Sequence, residues 1–405
     1  AADVAKLVEE PTSQSQGGQL EAHAETARRL EEGSAAPPQR LSTANTVHVA
    51  AVYGVQRELP EEWKGWMQLW FLLYHVLRAE AAYPYIRWTV SAYVFLTGYG
   101  NTLYYFGSGK VSTKRIAGML LRMCLFSVLL AGATGTPWYL YYIPFLHAVH
   151  YITTTAACLL AMQLQGRFEA SLGFLHASAL VCALLPGVLL ETQVGSGAVG
   201  TVLQTVFGPT GGTYLLMRLR LDRYSSAVGI LGALIVLAAN AQAASAPGSR
   251  PAGVWAGLCD GILGRWHTAR QVIAAALVTA GVAVAVTHPL RAEYKLVNAY
   301  VGTLWIPAYL ELRLRVLPRL QRWLAGADAQ AQLKVHVSRV LAWFGRHSLE
   351  CYLLQFHLLM TASAGAILVL LPQAPLVSLL LQAVMYTRAA AIAFSATSAL
   401  REYLQ

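Results

Sequence analysis

Charge is scarce in this chain. Lys, Arg, Asp and Glu make up 12% of its 405 residues, against roughly 25% in an ordinary soluble domain. Hydrophobic residues make up 56%, and the mean hydropathy is +0.46. A water-soluble globule of this size cannot hide so much apolar surface, and the same composition excludes disordered and collagenous chains. Cysteine is sparse too: Cys124, Cys158, Cys182, Cys259 and Cys351 lie mostly inside apolar runs, with no Cys-x-x-Cys. That excludes a disulfide framework and leaves them as small core hydrophobes. Also missing are an Asn-x-Ser/Thr sequon, a Walker A loop, His-Glu-x-x-His and Gly-x-Ser-x-Gly. A hydrolase-type serine site is not visible in these residues.

What the chain has is apolar length. Runs lie near 66–79, 88–106, 116–135, 139–162, 171–191, 198–217, 226–244, 271–288, 297–312, 341–360 and 362–398, the last long enough for two. A membrane-crossing helix needs around 20 residues. Lipid admits only helices and closed barrels, and these runs are too long for barrel strands. The expected fold is all-α, a polytopic transmembrane bundle of about ten to twelve spans over residues 59–405. The 66–79 run is short and reads equally as interfacial or re-entrant. Residues 1–58, rich in Glu, Gln, Ser and Ala, read as a disordered polar tail.

The net charge of +10 hides an asymmetry. Residues 1–62 hold ten of the twenty acidic side chains but only five of the thirty basic ones, so the membrane part carries an excess of fifteen positive charges. These bases sit singly or in short groups at span ends, as lipid headgroups and the positive-inside rule require. Membrane lipid is the expected partner, and nucleic acid is not.

Charged groups at bilayer depth need partners or a cavity, so the exceptions to clean apolar runs carry the information. In Glu62-Trp63-Lys64-Gly65-Trp66-Met67-Gln68, continuing to Tyr74-His75 and Arg78, helical spacing puts Lys64, Gln68, Phe71, His75 and Arg78 on one face. The bland reading is an interfacial helix with aromatic anchors and snorkelling bases. In Gly345-Arg346-His347-Ser348-Leu349-Glu350-Cys351-Tyr352 and Gln355-Phe356-His357, Glu350 and His357 fall on one stripe, two turns apart. A carboxylate beside imidazoles suits general base catalysis. The alternative is a wet helix end with Glu350 paired to a nearby arginine.

Met217-Arg218-Leu219-Arg220-Leu221-Asp222-Arg223-Tyr224 offers arginines that can grip a large anionic donor's phosphates; equally, it is a basic span end on anionic lipid. Glu311-Leu312-Arg313-Leu314-Arg315, Arg87 and Arg122 pose the same choice. His147 and His150 are one turn apart, but no nearby acid or Cys completes a metal site. Gly195-Ser196-Gly197-Ala198-Val199-Gly200 fits Gly-x-Gly-x-x-Gly by letter and reads as a chance loop, since no strand precedes it.

In order along the chain, the Glu62–Gln68 run with Tyr74-His75, Thr97-Gly98-Tyr99-Gly100-Asn101, Leu221-Asp222-Arg223-Tyr224, and Gly345-Arg346-x-Ser348-Leu349-Glu350 with Gln355-Phe356-His357 resemble the motifs of one family. This is the multi-spanning polysaccharide O-acetyltransferase family: the fungal capsule O-acetylation proteins, the plant reduced-wall-acetylation proteins and the animal sialic acid O-acetyltransferase. The resemblance covers roughly residues 60–400. It departs at Cys351, where the family usually has Thr, at Leu358-Leu359 in place of Ile-Trp, and at Asn298-Ala299-Tyr300 in place of His-Pro-Tyr.

The resemblance implies acetyl transfer from acetyl-CoA toward sugar hydroxyls of polysaccharides or glycans in the Golgi lumen, by an integral membrane protein. Some members carry a luminal SGNH-type domain. A Gly-Asp-Ser block and a paired Asp-x-x-His are missing from these residues, which aligns the chain with the plant type, thought to feed a separate luminal transferase. The expected catalytic residues are His357, His75 and Glu350. The expected substrate-binding residues are Lys64, Trp63, Gln68, Arg87, Arg122, Asn101, Asp222, Arg223, Arg313 and Gln355, with basic groups on the donor's phosphates and no metal. The rival reading is a transporter that moves an acyl donor or sugar without covalent chemistry.

Overall fold

A computed structural model describes residues 58–168, 171–245, 253–320, 337–360 and 368–403. The polar tail lies outside them except for Glu58, which opens the first helix. The described residues form an all-α bundle. Its helices are α1 (Glu58–Leu77), α2 (Tyr83–Ser108), α3 (Thr113–Thr134), α4 (Tyr142–Phe168), α5 (Leu172–Glu191), α6 (Gln193–Phe207), α7 (Pro209–Leu221) and α8 (Ser225–Ala243). After these come α9 (Val254–Asp260), α10 (His267–Thr287), α11 (Arg291–Val301), α12 (Ile306–Glu311), α13 (Arg339–Arg346), α14 (Ser348–Leu358) and α15 (Pro375–Tyr403).

Six spans among the described residues are long and apolar enough to cross a membrane on those grounds alone: α3, α4 with its lead-in from Trp138, α5, α8, α10 and α15. Their outer faces carry bare aliphatic side chains, such as Val181 and Leu185 on α5 and Leu376, Leu380 and Val384 on α15. Lipid covers such a face at no cost in unmet polar groups.

α2 is different. Its 26 residues reach about 39 Å at 1.5 Å per residue, yet Arg87, Thr89, Ser91, Asn101 and Thr102 are buried along it. A helix can carry that polarity only when other helices surround it. On one side Phe95 and Tyr99 pack with Trp63 and Met67 of α1 and with Trp305 and Ile306; on another, Ile86, Val90 and Val94 pack with Phe145, Leu146, Leu215 and Leu219. Gly109, at φ 61°, ends the helix in the left-handed region where a side chain is disfavoured.

Two pairs of glycines bring backbones into contact. A Cβ on Gly65 of α1 would lie 1.8 Å from the Leu341 carbonyl oxygen, and one on Gly345 would lie 1.7 Å from that of Glu61. Likewise a Cβ on Gly98 of α2 would lie 2.1 Å from the Ser226 oxygen, and one on Gly229 of α8 2.1 Å from the Phe95 oxygen. Small residues allow this approach in bundles that lack a hydrophobic drive between helices. The motifs carrying Gly65, Gly98 and Gly345 are thus helix-contact motifs as well as candidate site motifs.

Several expectations need correction. The short run at 66–79 is the second half of a full 20-residue helix, α1, because Glu62 and Lys64 find ionic partners that let the polar first turns be covered. The run at 198–217 is not one span. It folds back at Gly208, where φ is 76°, into the pair α6 and α7, of 15 and 13 residues. Pro209 cannot continue α6 but can begin α7, and Gly212 lets the two helices touch at Leu203 and Gln204. The Gly195–Gly200 run is part of α6, capped by the Thr192 hydroxyl on the Gly195 N–H, rather than a loop. The 341–360 run breaks at His347 into α13 and α14, and the 297–312 run breaks after Val301 between α11 and α12.

Candidate functional site

The candidate site sits where α1 and α14 pass the start of α4. The His75 ring meets Phe356 edge-on at 6.0 Å between centroids; Phe356 lies 6.1 Å from Tyr141, and Tyr141 5.9 Å from His357. The Tyr141 hydroxyl, itself fully buried, is hydrogen-bonded to His357 Nε2. Two histidines lying 282 positions apart in sequence thus flank one aromatic pair. His75 has no hydrogen-bond partner among the described residues and stays half-buried.

Gln355, one residue before Phe356, is 0% exposed, and neither its amide oxygen nor its nitrogen has a partner. Gln68, two turns before His75 on α1, is also buried, with Nε2 unpartnered. Buried amides normally find partners; these open atoms lie on α1 and α14, the helices that carry His75 and His357.

Glu350 does not share a contact with His357. It is 0% exposed, 2.7 Å from Arg122 Nη2, and accepts a hydrogen bond from the Thr397 hydroxyl at 3.3 Å. It ties α14 to α3 and α15. The other arginines expected to bind substrate, Arg313, Arg223 and Arg87, also carry carboxylates of their own. Arg313 holds Glu62 at 2.7 and 2.9 Å, with the Ser338 N–H donating to the same carboxylate at 3.1 Å. Arg223 holds Glu191 at 2.7 Å, joined there by the Tyr300 and Tyr224 hydroxyls at 2.6 and 3.0 Å. Arg87 is paired with Asp222, and both are essentially inaccessible. Lys64 lies 2.8 Å from Glu61.

Asp222 is fully engaged. Ser91 donates to Oδ1 at 2.7 Å, Asn298 donates to the same oxygen at 3.4 Å, and Asn298 also donates to the Leu221 carbonyl at 2.8 Å. Asn298, where the resemblance departs from His-Pro-Tyr, therefore lies in this knot. Asn101 donates to the Thr97 carbonyl at 2.8 Å and accepts from Arg115 at 3.5 Å. Trp63 is packed 4.6 Å from Tyr309 and 5.8 Å from Trp305. His147 and His150 bind separate hydroxyls, Thr97 at 2.8 Å and Ser226 at 3.0 Å. Among the described residues no three His, Cys, Asp or Glu side chains gather as a metal site would need.

Residues 44–405 match the model of a family described as the 10 TM acyl transferase domain found in Cas1p. The chain belongs to that family. It is a membrane acyltransferase domain, and the family's ten spans fall at the low end of the ten to twelve expected. It is also 27% identical over 345 residues to a Danio rerio protein, N-acetylneuraminate (7)9-O-acetyltransferase, a match covering 80% of this chain and 40% of that one. The chain thus spans about two fifths of the length of that curated relative. No solved structure matches it.

Sequence reading missed Tyr141, the partner of His357, and Thr397, the second partner of Glu350. Tyr141 had one signal: it lies in Trp138-Tyr139-Leu140-Tyr141-Tyr142, a dense aromatic opening to a span. Thr397 had none, because its role depends on how α15 packs.

Proposed function

We propose that this chain takes acetyl from acetyl-CoA and passes it toward hydroxyls of glycans in the Golgi lumen, either directly or to a separate luminal transferase. The observation that carries this reading is the pair of imidazoles flanking Phe356 and Tyr141, one held by a phenol and the other unengaged. His75 takes the proton of an attacking hydroxyl, or takes the acetyl group first as a transient carrier. In either route a bond forms to the acetyl carbonyl carbon, the thioester C–S bond breaks, and the coenzyme leaves as its thiol with the displaced proton. His357, oriented by Tyr141, serves as the second proton-handling group. Glu350 acts through Arg122 and Thr397 to fix α14, and so sets where His357 stands.

The test is reconstitution of the full chain in liposomes with acetyl-CoA labelled in the acetyl group. The sugar acid in the Danio rerio relative's name, N-acetylneuraminate, is the first acceptor to try. Labelled sugar ester, lost with His75→Ala and with His357→Ala, supports the reading. Labelled coenzyme entering the vesicles intact, with both variants as active as wild type, makes the chain a transporter instead.

A further inference from the structure

Among the described residues, buried arginines follow a rule with one exception. Arg87 and Arg313 are 1% and 7% exposed, and each has a carboxylate. Arg218 of α7 is 6% exposed, yet no carboxylate lies within ion-pair distance of it among the described residues. The nearby acid, Asp222, is already taken by Arg87, Ser91 and Asn298. Arg218 lies instead 4.3 Å over the Tyr142 ring and 4.7 Å over the Tyr214 ring, with one hydrogen bond to the Tyr214 hydroxyl and its Nε unpartnered. Stacking on rings occupies the faces of a guanidinium and leaves its donor edge for a planar or tetrahedral anion.

Other cations lie on α11, which packs against α7. The Arg291 guanidinium lies 4.9 Å over the Tyr83 ring, and Lys295 follows one turn later on α11. Neither is ion-paired among the described residues. Lys295 lies outside the six helices that are long and apolar enough to cross a membrane among the described residues. Burial, and then the charges of Arg291, Arg218 and Arg87, hold its ammonium below the ordinary lysine range. Tyr74 and His75 lie within the field of Arg291. Glu293 lies between them on α11, but no carboxylate is ion-paired with any of the three among the described residues, so an anion joining them would offset their mutual repulsion.

We infer that Arg218, Arg291 and Lys295, framed by Tyr83, Tyr142 and Tyr214, form a binding site for an oxyanion, a carboxylate or phosphate group, at the His75 end of the bundle. The anion belongs to a sugar acid, to the coenzyme or to a lipid headgroup, which share this chemistry. That the site serves the substrate meeting His75 rests on the acetyltransferase reading; that it binds an oxyanion does not.

The experiment measures ligand-induced shifts in the thermal midpoint of the full chain, in nanodiscs of neutral phosphatidylcholine, using inorganic pyrophosphate, coenzyme A and glucuronate. Parallel discs contain phosphatidylglycerol. At least one probe should stabilise wild type, and Arg218→Gln should weaken its binding at least tenfold, Lys295→Gln several-fold and exposed Lys110→Gln not at all. Arg218→Lys keeps the charge but loses the fork, so it tests the site should Arg218→Gln fail to fold. Pyrophosphate binding abolished only in the anionic discs identifies the headgroup as the occupant and supports the site. A response to coenzyme A alone, or to glucuronate alone, names the coenzyme or the sugar acid. Binding that is absent in both lipids, or indifferent to Arg218 and Lys295, overturns the proposal. Because acetyl transfer is not the readout, a chain that binds an anion through Arg218 but transfers no acetyl keeps the site and sinks only the acetyltransferase reading.

Discussion

The knot around Asp222 and the ring line from His75 to His357 are built from the same kind of material, polar side chains deep in an apolar bundle, and they end in opposite states. In the knot every charge has a counter-charge and the aspartate oxygens are shared among Arg87, Ser91 and Asn298. Along the ring line His75 is unengaged, Gln355 has open amide atoms, and Arg218 nearby has no acid. Burial raises the cost of unmet polar groups in both places. What separates the two places is charge pairing: in the knot Arg87 has its counter-charge in Asp222, although Arg87 Nε and Nη1 and Asn298 Oδ1 have no partner, whereas Arg218 has no carboxylate among the described residues.

The comparison can be broken most sharply at the histidines. His75→Ala or His357→Ala should lower acetyl transfer by roughly 10²–10⁴-fold, with expression and thermal midpoint close to wild type. Normal transfer per folded molecule, accompanied by poor expression, would move both histidines into the frame. Asp222→Asn should show the reverse pattern. It strands Arg87 without a counter-charge, a loss of about 3–5 kcal/mol for a broken buried pair, seen as a lower unfolding midpoint. A double change, Arg87→Met with Asp222→Leu, should recover most of that loss, because no uncompensated charge remains.

Tyr141→Phe sharpens the comparison further. It removes one hydroxyl and keeps the ring packing, so transfer should drop by about tenfold, the cost of roughly one hydrogen bond, while the unfolding midpoint holds. If transfer is unchanged, the phenol does not orient His357. The smallest effect belongs to Glu191→Gln. Glu191 is 37% exposed, and solvent screening limits such pairs to less than about 1 kcal/mol, so both activity and midpoint should stay near wild type.

Much of the frame could be read from apolar run length. The runs that became α2, α3, α5, α8 and α10 lie close to their observed bounds, because lipid-facing or fully packed spans leave an unbroken hydropathy signal. Reversals were harder. The 198–217 run carries no charge, and hydropathy does not record that α7 returns along α6; only the Gly208-Pro209 pair marks the turn. His75 and His357 could be picked out because each interrupts an apolar run. Their common neighbours Phe356 and Tyr141 could not be, since a ring contact between α14 and the start of α4 is a tertiary fact. Arg291 and Lys295 look like ordinary span-end bases until α11 is seen beside Arg218.

The glycine contact between α1 and α13 also bears on how the molecule is made. Glu62 and Ser338, which bond across it, are 276 positions apart. At typical synthesis speeds, on the order of tens of seconds separate the emergence of the two. Until Arg313 emerges Glu62 lacks its counter-charge, and until α13 follows the Gly65 surface stays bare. Synthesis of the first helix and its final docking are therefore distinct events, and truncation anywhere before residue 338 leaves a translated but unlatched protein, a natural target for quality control.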